Sequence, residues 1–298
     1  VKAVQSKTPL VSIILPCKNE GENVKKTLDS ILSTATGMKY EIIVVDDGSQ
    51  DDGVETVKND PKYQKVNFLN SNGVGSAKAR NFGAEMAKGE YLVFCDAHVF
   101  VEAFWLDRLV ATFKSPEIGA VCPAIASHDN PAATGYGQLM TEKVQAQWHL
   151  NNPKEISPVA VAPGGCIVFR KKVFEEIGGF NKGFRVWGLE DLEISYRTWI
   201  MGYSCVVNPH VKVLHVFRQA HPYRVTMEDV NYNLLYMAFV HFKAERIARI
   251  LDLLKNYPTF SQVLVSAIFS DAWKQRKYYS EVRKRDDDWY MEYFKVNL

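Results

Sequence analysis

A doubly wound α/β fold follows from three features of the sequence. Short apolar runs recur through the first 125 residues, a polar cluster follows each run, and helical stretches separate them at about 30 residues per unit. Val11–Leu15 (VSIIL) has the continuous apolar character of a strand buried on both faces. Pro16 to Gly21 interrupts it, and Asn23 to Leu32 then spaces Val24, Leu28, Ile31 and Leu32 as a helix. Glu41–Val45 (EIIVV) predicts a second strand, stopped by Asp46-Asp47-Gly48-Ser49. Val54 and Val57 mark a helix, Val66–Leu69 a third strand, Ser76–Ala87 a helix, and Tyr91–Cys95 (YLVFC) a fourth strand ending at Asp96. Ligands of such sheets gather at the carboxyl ends of the strands, which selects Pro16–Glu20, Asp46–Ser49 and Asp96–His98.

Farther along, the spacing predicts a helix over Gln138–Leu150, a strand over Cys166–Phe169 opened by Gly164-Gly165, and a helix over Lys172–Ile177. Glu190–Met201 reads as a helix, and Ser204–Val207 and Lys212–Val216 as strands. Thr226-x-x-Asp229 resembles a capping box, with Asp in place of the usual Glu or Gln. A long helix is expected from there to Lys255, where Tyr257-Pro258 ends it, and another from Ser261 to Arg285. Leu234, Leu235, Met237, Phe239 and Val240 belong to a core or a dimer interface. Lys274, Arg276, Lys277, Arg283, Lys284 and Arg285, interleaved with Tyr278 and Tyr279, form a solvated face or one that approaches an anionic membrane.

Composition excludes several classes of function. With 36 basic against 34 acidic side chains, the chain is no general electrostatic binder of nucleic acid. Hydrophobic residues at 47% exclude a disordered protein. The best candidate for a membrane span, Leu234 to Val240, is only seven residues long. No basic stretch followed by an apolar signal core opens the chain, so the expected location is cytoplasmic. The five cysteines are scattered without a C-x-x-C and read as reduced, buried thiols.

The polar clusters carry the chemistry. In extended backbone, residues i and i+2 point to the same side, so Asp96 and His98 can converge on one ion. One carboxylate with one imidazole suits Mn²⁺ better than Ca²⁺, which prefers oxygens alone. The same residues also read as a helix cap beside a surface histidine. His215, in the apolar run Val213–Phe217, is a core residue or a ligand; Arg218, His221 and Tyr223 follow it with groups that hydrogen-bond phosphate. Gly73-x-Gly75 lacks the third glycine of a dinucleotide fingerprint, leaving a helix N-terminus with Lys78 and Arg80 near its start. Glu190 and Asp191 open a helix, as dipole complements or as a general base for an attacking acceptor. Trp187 beside them stacks on a sugar or belongs to the core.

These residues bring a family into view. Val11–Leu15 with Pro16-x-x-Asn19-Glu20, and Glu41–Val45 with Asp46-Asp47-Gly48-Ser49, resemble the nucleotide-binding half of a GT-A fold glycosyltransferase of the family 2 type. Gly164–Gly179, Val186–Arg197 (VWGLEDLEISYR) and His215-Val216-Phe217-Arg218-x-x-His221-Pro222-Tyr223 resemble the polypeptide N-acetylgalactosaminyltransferases. The resemblance covers residues 9 to 224. It implies a GT-A domain over 1–224, divided into a nucleotide-binding half (9–125) and an acceptor half (126–224), with a helical extension over 225–298 in place of that family's lectin domain.

The resemblance also implies roles for individual residues. Asp96, His98 and His215 would hold Mn²⁺ or Mg²⁺, with Asp96 beside the nucleotide-sugar as well. Arg218, His221 and Tyr223 would lie on a mobile loop over the UDP diphosphate. Asp47 with Pro16, Asn19 and Glu20 would meet uracil and ribose, Arg80 the nucleotide, Gly165 the donor sugar, and Trp187 with Glu190 the sugar and acceptor. The GalNAc-transferases carry Asn after this glutamate, where Asp191 stands here. A Glu-Asp pair is the position of the base in inverting GT-A enzymes, so the expected reaction is inverting transfer from a UDP-sugar, with Asp191 as base. A peptide or protein side chain, or a glycan, is the expected acceptor. A retaining enzyme, or a catalytically silent sugar-nucleotide or glycan-binding module, is the alternative.

Overall fold

A computed structural model of the protein describes residues 9–298. Strands β1 (Val11–Cys17), β2 (Tyr40–Asp46), β3 (Val66–Asn70) and β4 (Tyr91–Cys95) alternate with helices α1 (Asn23–Ser33), α2 (Gly53–Lys58) and α3 (Ser76–Met86). The pairs β1–β2, β2–β3 and β1–β4 are all parallel, so the four strands release the chain at the same sheet edge. Side chains alternate between the two faces of β1: Ile13 and Leu15 enter one buried cluster and Ile14 the other. Both faces are therefore covered, which explains the unbroken apolar runs.

The chain continues through β5 (Val99–Val101), α4 (Trp105–Ala111), β6 (Ile118–Ser127), β7 (Thr134–Gly135), β8 (Gln138–Met140), β9 (Ala146–Trp148), β10 (Ser157–Pro158), β11 (Cys166–Arg170), α5 (Lys171–Glu176), α6 (Glu190–Ile200) and β12 (Ser204–His215). The order across the large sheet is β10-β12-β6-β11-β4-β1-β2-β3, with β5 on β12 and β7 on β6. β11 runs antiparallel to β4 and β6, whereas β12 is parallel to β6, which makes the sheet mixed, as the GT-A resemblance implies. The two predicted strands at 204–207 and 212–216 are a single strand, β12, whose register shifts between Asn208 and Lys212.

The helix expected over Gln138–Leu150 is instead the hairpin β8–β9. Val144, at φ 55°, closes its turn by donating to the Thr141 carbonyl. Gln138 also exchanges backbone hydrogen bonds with Val161, a long-range contact invisible to local periodicity.

Helices α7 (Met227–His241), α8 (Ala244–Leu254), α9 (Phe260–Ile268), α10 (Ala272–Val282) and α11 (Asp287–Phe294) complete the chain. The Thr226 hydroxyl accepts from the Asp229 N–H, so the predicted cap starts α7. The expected continuous helix to Lys255 breaks at Phe242, which is extended (ψ 154°) and fully buried. Asp287 accepts the Lys243 N–H at 2.7 Å, replacing the lost helical bond. The expected 261–285 helix breaks similarly at Phe269–Asp271, where the Ser270 hydroxyl accepts from the Ala272 N–H. Leu234, Leu235, Met237, Phe239 and Val240 are buried within this chain as core.

Part of the basic C-terminal run turns inward. Arg276 donates to the Phe239 and Phe242 carbonyls, and Arg285 stacks over Trp289, so these cations are not a free solvated face. At the end of α7 such donors complete the unsatisfied carbonyls and meet the negative end of the helix dipole.

Helix α6 is fixed by a buried charge cluster. Glu193 accepts Arg197 Nη2 at 2.6 Å and Nε at 2.9 Å, faces His241 Nε2 at 2.8 Å and accepts Asn181 Nδ2 at 3.2 Å. Burial opposes ionisation of Glu193, yet Arg197 and His241 hold its pKa down to about 2. Removing one partner would strand a buried guanidinium. Glu193→Ala should therefore cost about 3–5 kcal/mol in urea unfolding, and the double change Glu193→Leu/Arg197→Met clearly less.

Candidate active site

Three side chains meet where β4, β5 and β12 end or begin. Asp96 follows β4 directly, His98 precedes β5, and His215 closes β12, where it pairs in register with Val99. That pairing brings the His98 and His215 rings to 4.6 Å although 117 positions (215 − 98) separate them. His215 Nε2 lies 3.3 Å and His98 Nε2 3.8 Å from Asp96 Oδ2, and one ligand atom from each residue falls within 4.8 Å of the others. The polar runs past the apolar strands thus converge, and Asp96 and His98 form no helix cap.

Asp96 is held from the far side by Arg80 of α3, whose Nη2 is 2.8 Å from Oδ1. Burial opposes ionisation of Asp96, but the His215 hydrogen bond and the Arg80 charge keep its carboxyl well below the usual range. One ionised carboxylate with two imidazoles in this compass is a donor set suited to a borderline divalent cation such as Mn²⁺. Gly165 leaves room beside it, because a Cβ there would come within 3.1 Å of the His215 ring.

Arg80 also approaches Glu190 Oε1 at 3.6 Å and donates to the Ser76 hydroxyl. Glu190 accepts from Ser76 Oγ and from the Gly188 N–H, both at 2.7 Å, and is buried. Its neighbour Asp191 faces the cavity, accepting the Gly164 N–H at 3.1 Å. Burial, reinforced by the charge of Glu190, pushes the Asp191 pKa up to about 6.

The cavity between these groups has a volume of about 470 Å³ and is roofed by the segment Val216–Tyr223, which has no regular structure. Arg218 reaches across to Glu20 with both guanidinium nitrogens, and the Glu20 oxygens are also 3.2 Å from His98 Nδ1. Burial alone would raise the Glu20 pKa, but the His98 and Arg218 hydrogen bonds lower it. His221 packs on Trp187 at 4.3 Å between ring centroids, and burial lowers its pKa. Tyr223, raised by burial, lies 5.6 Å from Lys18 Nζ.

Pro16, Glu20, Asp47, Arg80, Asp96, His98, Gly165, Trp187, Asp191, His215, Arg218, His221 and Tyr223 all line this cavity. Two predicted site residues occupy other positions. Asn19, at φ 54°, donates from Nδ2 to the Pro222 carbonyl at 3.0 Å and accepts the Gln50 N–H, tying two loops together. Glu190 stands behind Asp191 as the acceptor just described. Asp47, at the wall, also supports the neighbouring turn: Ser71 Oγ and the Val74 and Gly75 N–H groups donate to it within 2.9 Å. It shapes the Gly73–Gly75 turn.

Lys18, Ser76, Trp148 and Phe217 line the cavity as well and are not among the site residues expected from the sequence. Ser76 was legible as the first residue of a helix after Gly73-x-Gly75. Trp148, edge-on to Phe217 at 6.0 Å, was hidden by the mistaken helix.

Comparison with known proteins gives the family and the fold. The profile described as glycosyl transferase family 2 matches residues 12–178, and that described as the N-terminal domain of galactosyltransferase matches residues 147–222. The chain is 32% identical over 234 residues to polypeptide N-acetylgalactosaminyltransferase 14 of Homo sapiens, covering 72% of this chain and 42% of that protein. It is 28% identical over 255 residues to probable N-acetylgalactosaminyltransferase 8 of Caenorhabditis elegans, covering 76% and 60%. The chain thus spans less than two thirds of these relatives' lengths. Among solved structures, GalNAc-T7 with UDP, GalNAc and Mn²⁺ superposes with a TM-score of 0.74 at 20% identity, over 97% of this chain and 57% of that one. The mannosyltransferase PcManGT of Pyrobaculum calidifontis with GDP-Man and Mn²⁺ gives 0.57 at 17%, over 97% and 87%. The fold is therefore the GT-A fold, and with more than half of its residues matched by the family profile, the chain belongs to glycosyl transferase family 2.

Proposed function

We propose that the protein transfers a hexose or N-acetylhexosamine from a UDP-sugar to an acceptor, with inversion at the anomeric carbon. The observation that carries this reading is the meeting of Asp96, His98 and His215 with Arg218 and Asp191 around one cavity. A divalent cation bound by the three ligands would supply positive charge to the diphosphate leaving group. Arg218 is a guanidinium fork within the roof, suited to the same phosphates once it leaves Glu20. Asp191 takes the proton of the acceptor nucleophile, and its raised pKa places it close to the operating pH of a general base. The roof excludes water, which would otherwise hydrolyse the donor. The names of the relatives support an N-acetylhexosamine donor and a polypeptide acceptor.

Retention is the second reading, favoured by the likeness to polypeptide N-acetylgalactosaminyltransferases; Asp191 beside Glu190 favours inversion. In either case the C-terminal helices 225–298 form an extension whose α7 shares one core with the sheet.

Replacing Asp96 or His215 with Ala should lower Mn²⁺-dependent UDP release from UDP-sugars by more than about 100-fold. Unchanged turnover in either variant would remove the ligand set. With a base that must be deprotonated, kcat/KM should rise tenfold per pH unit below about 6 and level off above it. Asp191→Asn should lose about 10²- to 10⁴-fold and abolish that limb. NMR of the product linkage decides the anomeric outcome, and a retained configuration removes the base role from Asp191.

A further inference from the structure

We infer that Glu20 is a positioning residue whose one carboxylate serves both the metal ligand His98 and the roof residue Arg218, coupling the grip on the cation to the position of the roof. This inference rests on the metal reading above and deepens it.

The geometry is specific. Glu20 is 8% exposed, and its two oxygens face His98 Nδ1 at 3.2 Å each while also accepting the Arg218 fork. A carboxylate at Nδ1 fixes the imidazole tautomer with its proton on that atom, leaving the Nε2 lone pair for a cation. His98 Nε2 is the atom that faces Asp96 Oδ2. Two functions usually given to separate residues, orienting a ligand and anchoring a loop, therefore fall on one side chain.

The loop that carries Glu20 is itself braced. The Asn19 N–H donates to Ser49 Oγ at 3.0 Å, the Gln50 N–H to Asn19 Oδ1 at 2.7 Å, and the Gly21 N–H to Asp51 Oδ2 at 2.8 Å. From this fixed base, Asn19 holds the Pro222 carbonyl and Glu20 holds Arg218, so the roof is pinned near both ends. While Arg218 is on Glu20, the carboxylate divides its charge between guanidinium and imidazole. A diphosphate that draws Arg218 away leaves that charge to His98 alone, which makes Nε2 a stronger donor. Donor binding and cation binding then favour each other.

The test uses the donor-free protein. Mn²⁺ affinity is measured by calorimetric titration, and the state of the roof by the rate of tryptic cleavage after exposed Arg224. Glu20→Ala should weaken Mn²⁺ binding by about 10- to 100-fold and accelerate cleavage. Glu20→Gln, of equal size with one acceptor oxygen and no charge, should fall between that variant and the wild type; it also serves if the alanine variant does not fold by circular dichroism. Arg218→Ala should accelerate cleavage equally but keep Mn²⁺ affinity at the wild-type level or tighter. His98→Ala is the control for the metal site. If it binds Mn²⁺ like the wild type, the metal reading itself fails. If it loses the ion while both Glu20 variants keep wild-type affinity, or if Arg218→Ala weakens binding as much as Glu20→Ala, the coupling role of Glu20 is overturned.

Discussion

Five carboxylates, Glu20, Asp47, Asp96, Glu190 and Asp191, crowd one cavity and its wall, and their mutual repulsion is the constraint that the rest of the site answers. Two unit charges 4 Å apart repel by about 4 kcal/mol at the effective dielectric of a protein surface. Arg80, itself nearly buried, sits between Asp96 and Glu190, and Arg218 lies against Glu20. Those three acids have a guanidinium within 4 Å. Lys18 Nζ lies 3.7 Å from Asp47. Asp191 accepts the Gly164 and Leu192 N–H groups, and burial, reinforced by the charge of Glu190, raises its proton affinity. Pairing some acids closely with cationic side chains and burying another against backbone donors is how a single pocket can hold carboxylates of different proton affinity.

The sheet supplies this crowding by topology. Parallel β1, β2 and β4 deliver the loops with Glu20, Asp47 and Asp96 to a common edge. Antiparallel β11, inserted between β4 and β6, brings Gly164 and Gly165 to the same edge from the opposite direction. β12 then returns parallel to β6 and, through β5, sets His215 beside His98. The α6 helix must start at the cavity, because Glu190 and Asp191 are its first residues, and the buried Glu193–Arg197–His241 cluster fixes its rotation against α7. A local ion cluster outside the cavity thereby determines where the candidate base points.

The parts of this arrangement legible in the sequence are those set by local chemistry. Buried strands must be apolar, and the residues that follow them must be polar if they face a cavity, so Asp96, His98, His215 and Arg218 stood out without coordinates. The parts that were not legible depend on distant partners. Gln138–Leu150 has apolar residues at helical spacing, yet Val161 draws Gln138 into a bridge and the segment becomes a hairpin. Phe242 stops a helix-compatible sequence because its ring is wanted in the core and Asp287 takes the Lys243 N–H. Asp47 and Asn19 occupy the expected loops and also accept or donate hydrogen bonds that hold those loops together, a detail that composition cannot carry.

The roof shows why the acid–guanidinium pairing matters beyond stability. A half-buried Arg218 released from Glu20 without another anion would leave its guanidinium unpaired in a poorly solvated place, at a cost of about 3–5 kcal/mol. On the proposed reading, a diphosphate in the cavity would remove that cost by replacing one fork-shaped acceptor with another. The roof would then have two favourable partners for the same cation and no favourable position between them. Such an exchange would be discrete, and it would make the position of Val216–Tyr223 respond to what occupies the cavity instead of drifting with solvent.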